Sequence, residues 1–136
     1  MKFRYLLIVL MVLFFCKKES GTTSSYTRME PITLRVVVTN SDDQPFTNGF
    51  VKMDALVGLA RSFGGWQLEG REETNALSQS GVAVFNFSAV EIIPSMGFIT
   101  IRNLEVLNRT LQPVYSDTTD FTIDSGDTRT VNFTIE

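Results

Sequence analysis

Reactive side chains are few in this chain of 136 residues. Cys16 is the sole cysteine, and histidine is absent. Without histidine, neither a Ser/His/Asp or Cys/His nucleophile nor the common zinc ligand sets can be assembled. A single cysteine also excludes an intrachain disulfide. The sequence therefore predicts no catalytic residue, no metal site and no cofactor, and we expect a protein that is not an enzyme.

Carboxylates are the remaining groups that could do acid–base chemistry. Three glutamates fall close together in one irregular segment, Glu69, Glu72 and Glu73. Trp66 precedes them and could stack on a sugar ring, and a carboxylate pair is the machinery of glycoside hydrolysis. The favoured interpretation is structural: the glutamates are solvated charges and Trp66 covers one end of a core. A small domain without a second, cleft-forming domain rarely buries a carboxylate pair.

Four aspartates occupy one C-terminal stretch, Asp117, Asp120, Asp124 and Asp127. Clustered carboxylate oxygens suit calcium. The D-x-D-x-D-G pattern of a calcium loop is absent, however, and aspartate is an ordinary turn residue. A turn is therefore the stronger prediction, and calcium is the alternative.

The segment before Cys16 has the layout of a secretory signal. Lys2 and Arg4 precede an uncharged apolar run over residues 5–15, which is too short for an ordinary membrane span. The chain becomes polar directly after the cysteine. We predict that residues 1–15 form a signal helix that is removed. An uncleaved N-terminal anchor is the alternative, and both place the rest of the chain at a membrane.

The junction at Cys16 resembles the lipobox of a bacterial lipoprotein signal. Leu13 occupies the family's leucine position, three residues before the cysteine, whereas Phe15 stands where the family mostly has a small residue. Relaxed lipoboxes of this kind are similar to those of Bacteroidetes and Flavobacteria. The resemblance implies a diacylglycerol on the Cys16 thiol. It also implies a location in the cell envelope, on the outer membrane, with exposure at the cell surface as a further expectation.

The remainder of the chain predicts one small domain. Residues 16–31 comprise the lipidated cysteine and a polar linker, and residues 32–136 have a length suited to a single domain. The whole chain has a formal net charge of −3, and removal of Lys2 and Arg4 with the signal makes it more acidic. A nucleic-acid partner is therefore not expected. Eleven phenylalanines, with many valines, leucines and isoleucines, can fill a core.

Apolar and polar residues alternate with period two through most of this domain, which predicts strands. The predicted strands cover residues 33–39, 50–57, 82–87, 98–107, 111–116, 119–123 and 128–135. Turn-forming clusters separate them, most clearly at residues 40–45 and 124–127. Glycines interrupt the pattern in residues 58–80, where we predict a long loop with one short strand. The regularity of the last strand predicts a central position in its sheet.

About seven short strands, with no helical periodicity after the signal, predict an all-β fold. The expected architecture is an antiparallel Greek-key β-sandwich of immunoglobulin-like or related type, preceded by the N-terminal signal helix.

Several pieces of this domain resemble transthyretin-like domains of the carboxypeptidase-regulatory type. They are L-R-V-V-V-T from Leu34, G-F-V-K-M from Gly49, G-V-A-V-F from Gly81, and the proline-led segment 94–101. The resemblance implies a transthyretin-like sandwich that serves as a structural, spacer or binding module. It carries no catalytic residue onto this chain.

The predicted function is that of a lipid-anchored cell-envelope lipoprotein whose β-sandwich is a non-catalytic binding or spacer module. Phe63 and Trp66, in the predicted long loop, are the candidate binding residues. The expected partners are the membrane, through the lipid on Cys16, and an envelope protein or a glycan. The alternative is a structural subunit of a surface appendage or envelope complex that assembles by strand addition.

Overall fold

The structure, a computed structural model, describes residues 28–118 and 120–136, so the predicted signal helix and Cys16 lie outside the described residues. The described chain forms a 3-10 turn, Ala89–Glu91, and eight strands. The strands are β1 (Ile32–Asn40), β2 (Gly49–Ala60), β3 (Trp66–Ala76), β4 (Val82–Phe87), β5 (Phe98–Asn108), β6 (Pro113–Asp117), β7 (Phe121–Asp124) and β8 (Thr128–Ile135). The predicted all-β sandwich is confirmed, with eight strands in place of about seven.

The strands form two sheets. The first has the order β4-β1-β8, and the second has the order β3-β2-β5 with β6 and β7 on the far side of β5. β7 pairs with the first part of β5 and β6 with its last part, so the two form one interrupted edge. Each pairing among the described strands is antiparallel except that of β1 with β8, which is parallel.

The core lies between the inner faces of the two sheets. Strand side chains alternate between faces, and the inner positions of the central strands are apolar. The large side chains with almost no exposed surface are Ile32, Leu34, Val36, Val38, Val51, Met53, Phe85, Phe87, Ile92, Ile99, Ile101 and Leu104. No polar or charged residue is buried within the described ranges. Hydrophobic burial across this interface is therefore what joins the sheets.

The prediction of a long loop with one short strand over residues 58–80 is wrong, because the strand is long and begins soon after β2 ends. Residues 58–60 end β2, and residues 66–76 form β3, which pairs with β2 from Phe50↔Ala76 to Ala60↔Trp66 as a long hairpin. β3 is an edge strand of the larger sheet and none of its residues is buried. Because both of its faces contact solvent or polar groups, the strand lacks the one-sided apolar pattern from which strands are predicted.

The prediction of a central last strand is also wrong. β8 pairs with β1 alone and lies at the edge of the smaller sheet. Its inward residues Val131, Phe133 and Ile135 pack on the core, while Thr130 and Thr134 are exposed. Regular alternation reports burial of one face, and it does not report how many neighbours a strand has.

One turn is used twice, with the sequence N-x-x-x-Q-P at residues 40–45 and 108–113. In both turns, the asparagine side-chain oxygen accepts hydrogen bonds from the backbone N–H groups two and four residues later. The fourth residue has a left-handed backbone, with φ of 58° at Asp43 and 59° at Leu111. Gly49 and Asn108 are register partners, so both turns lie at the same end of the sandwich.

We expect Leu111→Asn to stabilise the domain by about 0.5–1 kcal/mol, because asparagine adopts the left-handed region at lower cost than leucine. The leucine side chain is 57% exposed, so its loss removes little burial. Urea unfolding followed by circular dichroism measures the change. Asp43→Asn, at the equivalent position of the other turn, is the matched control and should change stability less, since aspartate already tolerates this conformation. Destabilisation by Leu111→Asn would contradict the strain argument.

Candidate functional site

The two candidate binding residues lie at the turn between β2 and β3. Arg61 and Gly65 close this turn, with the Arg61 N–H donating to the Gly65 carbonyl at 3.1 Å. Gly64 and Gly65 have φ of 84° and 91°, which glycine adopts without strain. Phe63 projects from the tip, and its side chain is fully exposed.

Trp66 is the first residue of β3 and is 39% exposed. Its ring lies against Gly58 of β2, where a Cβ atom would come within 3.2 Å of Trp66 Cε3 and 2.7 Å of Ile93 Cγ1. A glycine is therefore required at position 58 to admit both neighbours. The structure brings Phe63 and Trp66 to one end of the molecule, with Phe63 free at the tip and Trp66 partly covered at the base.

Further apolar residues surround this pair. Leu59 and Leu68 flank the turn, and nearly half of the surface of each is exposed to solvent. We call Leu59, Phe63, Trp66 and Leu68 the hairpin tip. Arg61 supplies a positive charge to it and takes no part in the ion pairs formed among the described residues. Trp66 and Leu68 lie on one face of the hairpin and Leu59 on the other, and Phe63 projects from the turn, with the cation of Arg61 beside it.

The three glutamates that follow Trp66 lie along β3 and make different contacts. In an unbroken strand, Glu72 and Glu73 point to opposite faces. Glu72 lies 3.7 Å from Lys52, and Glu73 is bonded to Arg71. Glu69 borders an open surface depression of about 380 Å³ beside the hairpin. Glu72 and Glu91 border the same depression, where Glu72 faces Lys52 and Glu91 is bonded to Arg71.

Arg71 is the centre of a polar cluster that sequence reasoning missed. Its Nη1 donates to Glu91 at 2.6 Å, and its Nη2 donates to Glu73 and to the Asn86 carbonyl. The guanidinium carbon lies 4.7 Å from the centre of the Phe87 ring, a cation–π distance. Arg71 therefore connects β3 to β4 and to the 3-10 turn, and closes one side of the sandwich.

Asn75 completes this closure. Its side-chain amide donates to Glu73 and to the Val84 carbonyl, both at 2.8 Å. The Val84 and Asn86 carbonyls point away from β1, so β3 side chains cover the otherwise unpaired edge of β4. The signal available in the sequence was the alternation of Arg71, Glu73 and Asn75, which predicts a polar face on a strand.

A second ion pair lies on the outer face of the larger sheet. A bulge at Asp54/Ala55 makes Arg102 an extra residue in β5, and its Nη2 donates to both carboxylate oxygens of Asp54 at 2.7 and 2.9 Å. This hydrogen bond raises the pKa of Arg102. The guanidinium reaches across to β3, where a Cβ atom at Gly70 would lie 3.3 Å from it. Arg102 thus braces three neighbouring strands.

The C-terminal aspartates do not converge. The predicted turn at residues 124–127 is confirmed, with the Asp127 N–H donating to the Asp124 carbonyl at 3.0 Å. Asp117 ends β6, and Asp120 lies in the link to β7. Within residues 28–118 and 120–136, no group of three acidic, cysteine or histidine side chains has the arrangement of a metal site.

No family model and no curated protein matches the sequence. Among solved structures, the chain is similar to a leucine-rich repeat protein from Bacteroides thetaiotaomicron VPI-5482, with 10% sequence identity and a TM-score of 0.33 over 79% of this chain. The chain spans 12% of the length of that protein, and a TM-score this low does not demonstrate a common fold. Over the part of the chain that the structure describes, no helix is long and apolar enough to cross a membrane.

We expect Arg71→Ala to destabilise the domain by about 2 kcal/mol, because it leaves two half-buried carboxylates unpaired and uncovers a β4 carbonyl. Lys52→Ala is the matched control: it removes a more exposed pair, whose loss should cost less than about 0.5 kcal/mol. Both values come from urea unfolding of the two variants beside the wild type. Equal effects would show that the cluster does not hold the sheets together.

Proposed function

We propose that the protein is a lipid-anchored cell-envelope lipoprotein whose β-sandwich serves as a non-catalytic binding or spacer module. The observation that supports the non-catalytic role is the engagement of the half-buried carboxylates. Asp54 is bonded to Arg102, and Glu73 and Glu91 are bonded to Arg71. Carboxylates held by arginine in this way brace neighbouring strands, and these bonds occupy their oxygens.

The proposed anchor is the diacylglycerol on Cys16. It rests on the apolar run before the cysteine and on Leu13 in the lipobox position. The proposed location is the outer membrane, with the sandwich at the cell surface. The hairpin tip, which contains Phe63 and Trp66, is the proposed contact surface for a partner in the envelope, a protein or a glycan. Exposed aromatic side chains at the end of a paired hairpin are suited to that role.

Intact mass spectrometry of the protein recovered from membranes of its native host tests the anchor. We expect loss of residues 1–15 and an added acyl mass on Cys16. Cys16→Ser is the control and should lack the acyl mass. A full-length, unmodified chain would establish an uncleaved N-terminal anchor instead, and the lipoprotein proposal would be wrong.

The second candidate function is a structural subunit that assembles by strand addition, and the edge position of β8 favours it. Side chains of β3 cover the edge of β4. The edge formed by β6 and β7 is interrupted and contains Pro113. The edge strand β3 carries the charged residues Glu69, Arg71 and Glu73. β8 is regular over eight residues and has one charged side chain, Arg129. Interruptions, prolines and charges protect edges from pairing, and β8 has the fewest of these devices.

Under this second candidate, the purified mature protein should form concentration-dependent ladders in light scattering and cross-linking. Thr130→Lys combined with Thr134→Lys should abolish them, because charges on an edge strand oppose pairing with another chain. Thr74→Lys, on the exposed edge strand β3, is the control and should leave the ladders unchanged. A strict monomer at all concentrations would exclude assembly through β8.

A further inference from the structure

The hairpin tip lies at the end of the sandwich from which the N-terminal segment departs. The Glu30 carbonyl accepts a hydrogen bond from the Gly126 N–H at 3.2 Å, and the neighbouring Ser125 N–H donates to the Gly97 carbonyl at 2.8 Å. Gly97 directly precedes β5, whose first residues lie beside the last residues of β2. The start of β1, the β7–β8 turn, the β4–β5 connection and the β2–β3 turn therefore share one end.

This shared end is the apolar end of the described domain. Besides the four residues of the hairpin tip, it carries Val90 of the β4–β5 connection, which is 71% exposed. The opposite end, where the two N-x-x-x-Q-P turns lie, exposes Leu111, and Val114 and Tyr115 of the adjoining β6 are exposed to a smaller extent. Exposed apolar residues concentrated at one end indicate a surface that is covered in the working protein.

The length of chain between Cys16 and the domain indicates what covers it. Residues 17–27 can span at most about 40 Å when fully extended. β2 has 12 residues and, at about 3.3 Å per residue, extends for about 40 Å along the sandwich. A lipid on Cys16 would therefore hold the end that bears the hairpin tip within reach of the bilayer at any extension of the tether, whereas the opposite end could reach the bilayer only when the tether is fully extended.

The composition of the hairpin tip suits a lipid surface. Tryptophan and aromatic residues favour the interface between headgroups and acyl chains, and Phe63 projects where it can enter that layer. Arg61 lies beside it and can contact an anionic headgroup. Gly64 and Gly65 have open space where a side chain would be, so the turn presents no bulk that would hold Phe63 away from the membrane.

We propose that the hairpin tip is a membrane-contact site, which inserts Phe63 and the edge of Trp66 into the interface of the bilayer that holds the lipid on Cys16. This inference rests on the proposed anchor, and it assigns the bilayer, in place of an envelope protein or a glycan, as the surface that the hairpin tip contacts. The domain is then held at two points, by the lipid and by the hairpin tip, and its orientation relative to the membrane is fixed. The end with the N-x-x-x-Q-P turns faces away from the bilayer.

Trp66 is the sole tryptophan of the chain, so its fluorescence reports on the hairpin tip without a label. The full protein purified from host membranes is reconstituted into vesicles of phosphatidylethanolamine and phosphatidylglycerol, with and without bromine on the acyl chains. We expect emission about twofold weaker in the brominated vesicles, because an interfacial indole lies within contact of the acyl chains. Phe63→Ser should remove most of this quenching, and Leu111→Ser, at the opposite end, should not.

Three outcomes separate the site from the anchor. An acyl mass on Cys16 with no quenching of Trp66 would overturn the membrane-contact site and leave the anchor intact. Quenching that depends on Phe63, in a protein without the acyl mass, would support the site and overturn the lipid anchor. Equal loss of quenching in Phe63→Ser and Leu111→Ser, with both variants folded by circular dichroism, would show that the contact is not made by the hairpin tip.

Discussion

The architecture depends on the burial of one face of β1. This strand lies between β4 and β8, so the smaller sheet exists only through it. Its inner residues Ile32, Leu34, Val36 and Val38 are fully buried against the larger sheet, and a buried side chain of this size contributes about 1.5–3 kcal/mol. The braced edges and the β2–β3 hairpin are arranged around this packed face.

The two sides of the sandwich are closed differently. On one side, Arg71 and Asn75 bond to the backbone of β4, so the sheets are joined by hydrogen bonds as well as by apolar contact. On the other side, Tyr115 of β6 packs on Phe133 of β8 with ring centres 4.7 Å apart. The hydrogen bonds from Arg71 and Asn75 are directional, so they fix the register of β3 against β4. The contact between Tyr115 and Phe133 involves rings alone, so the backbone groups at the edge of β8 stay available for pairing.

The sequence predicted the strands that have one buried face, including 82–87 and most of β1, β2 and β5. β3 could not be predicted, because its position at an edge leaves it without an apolar face. The partners of Arg71 could not be predicted either, since Glu91 and Asn86 become its neighbours only when β4 lies beside β3. For the candidate site, the residue types indicated Phe63 and Trp66. Their different exposure, with Phe63 fully exposed and Trp66 partly covered, follows from the pairing of β2 with β3, which the sequence did not predict.

The side-chain bonds of the N-x-x-x-Q-P turns bear on chemical ageing. Asparagine deamidates when the next backbone nitrogen attacks its side-chain carbonyl carbon, and this requires a mobile side chain. Asn40 and Asn108 are each held by two backbone N–H groups, and Asn48, which precedes a glycine, accepts a hydrogen bond from Arg109. The hydrogen bonds at this end of the sandwich therefore oppose the side-chain rotation that cyclisation of these three asparagines requires.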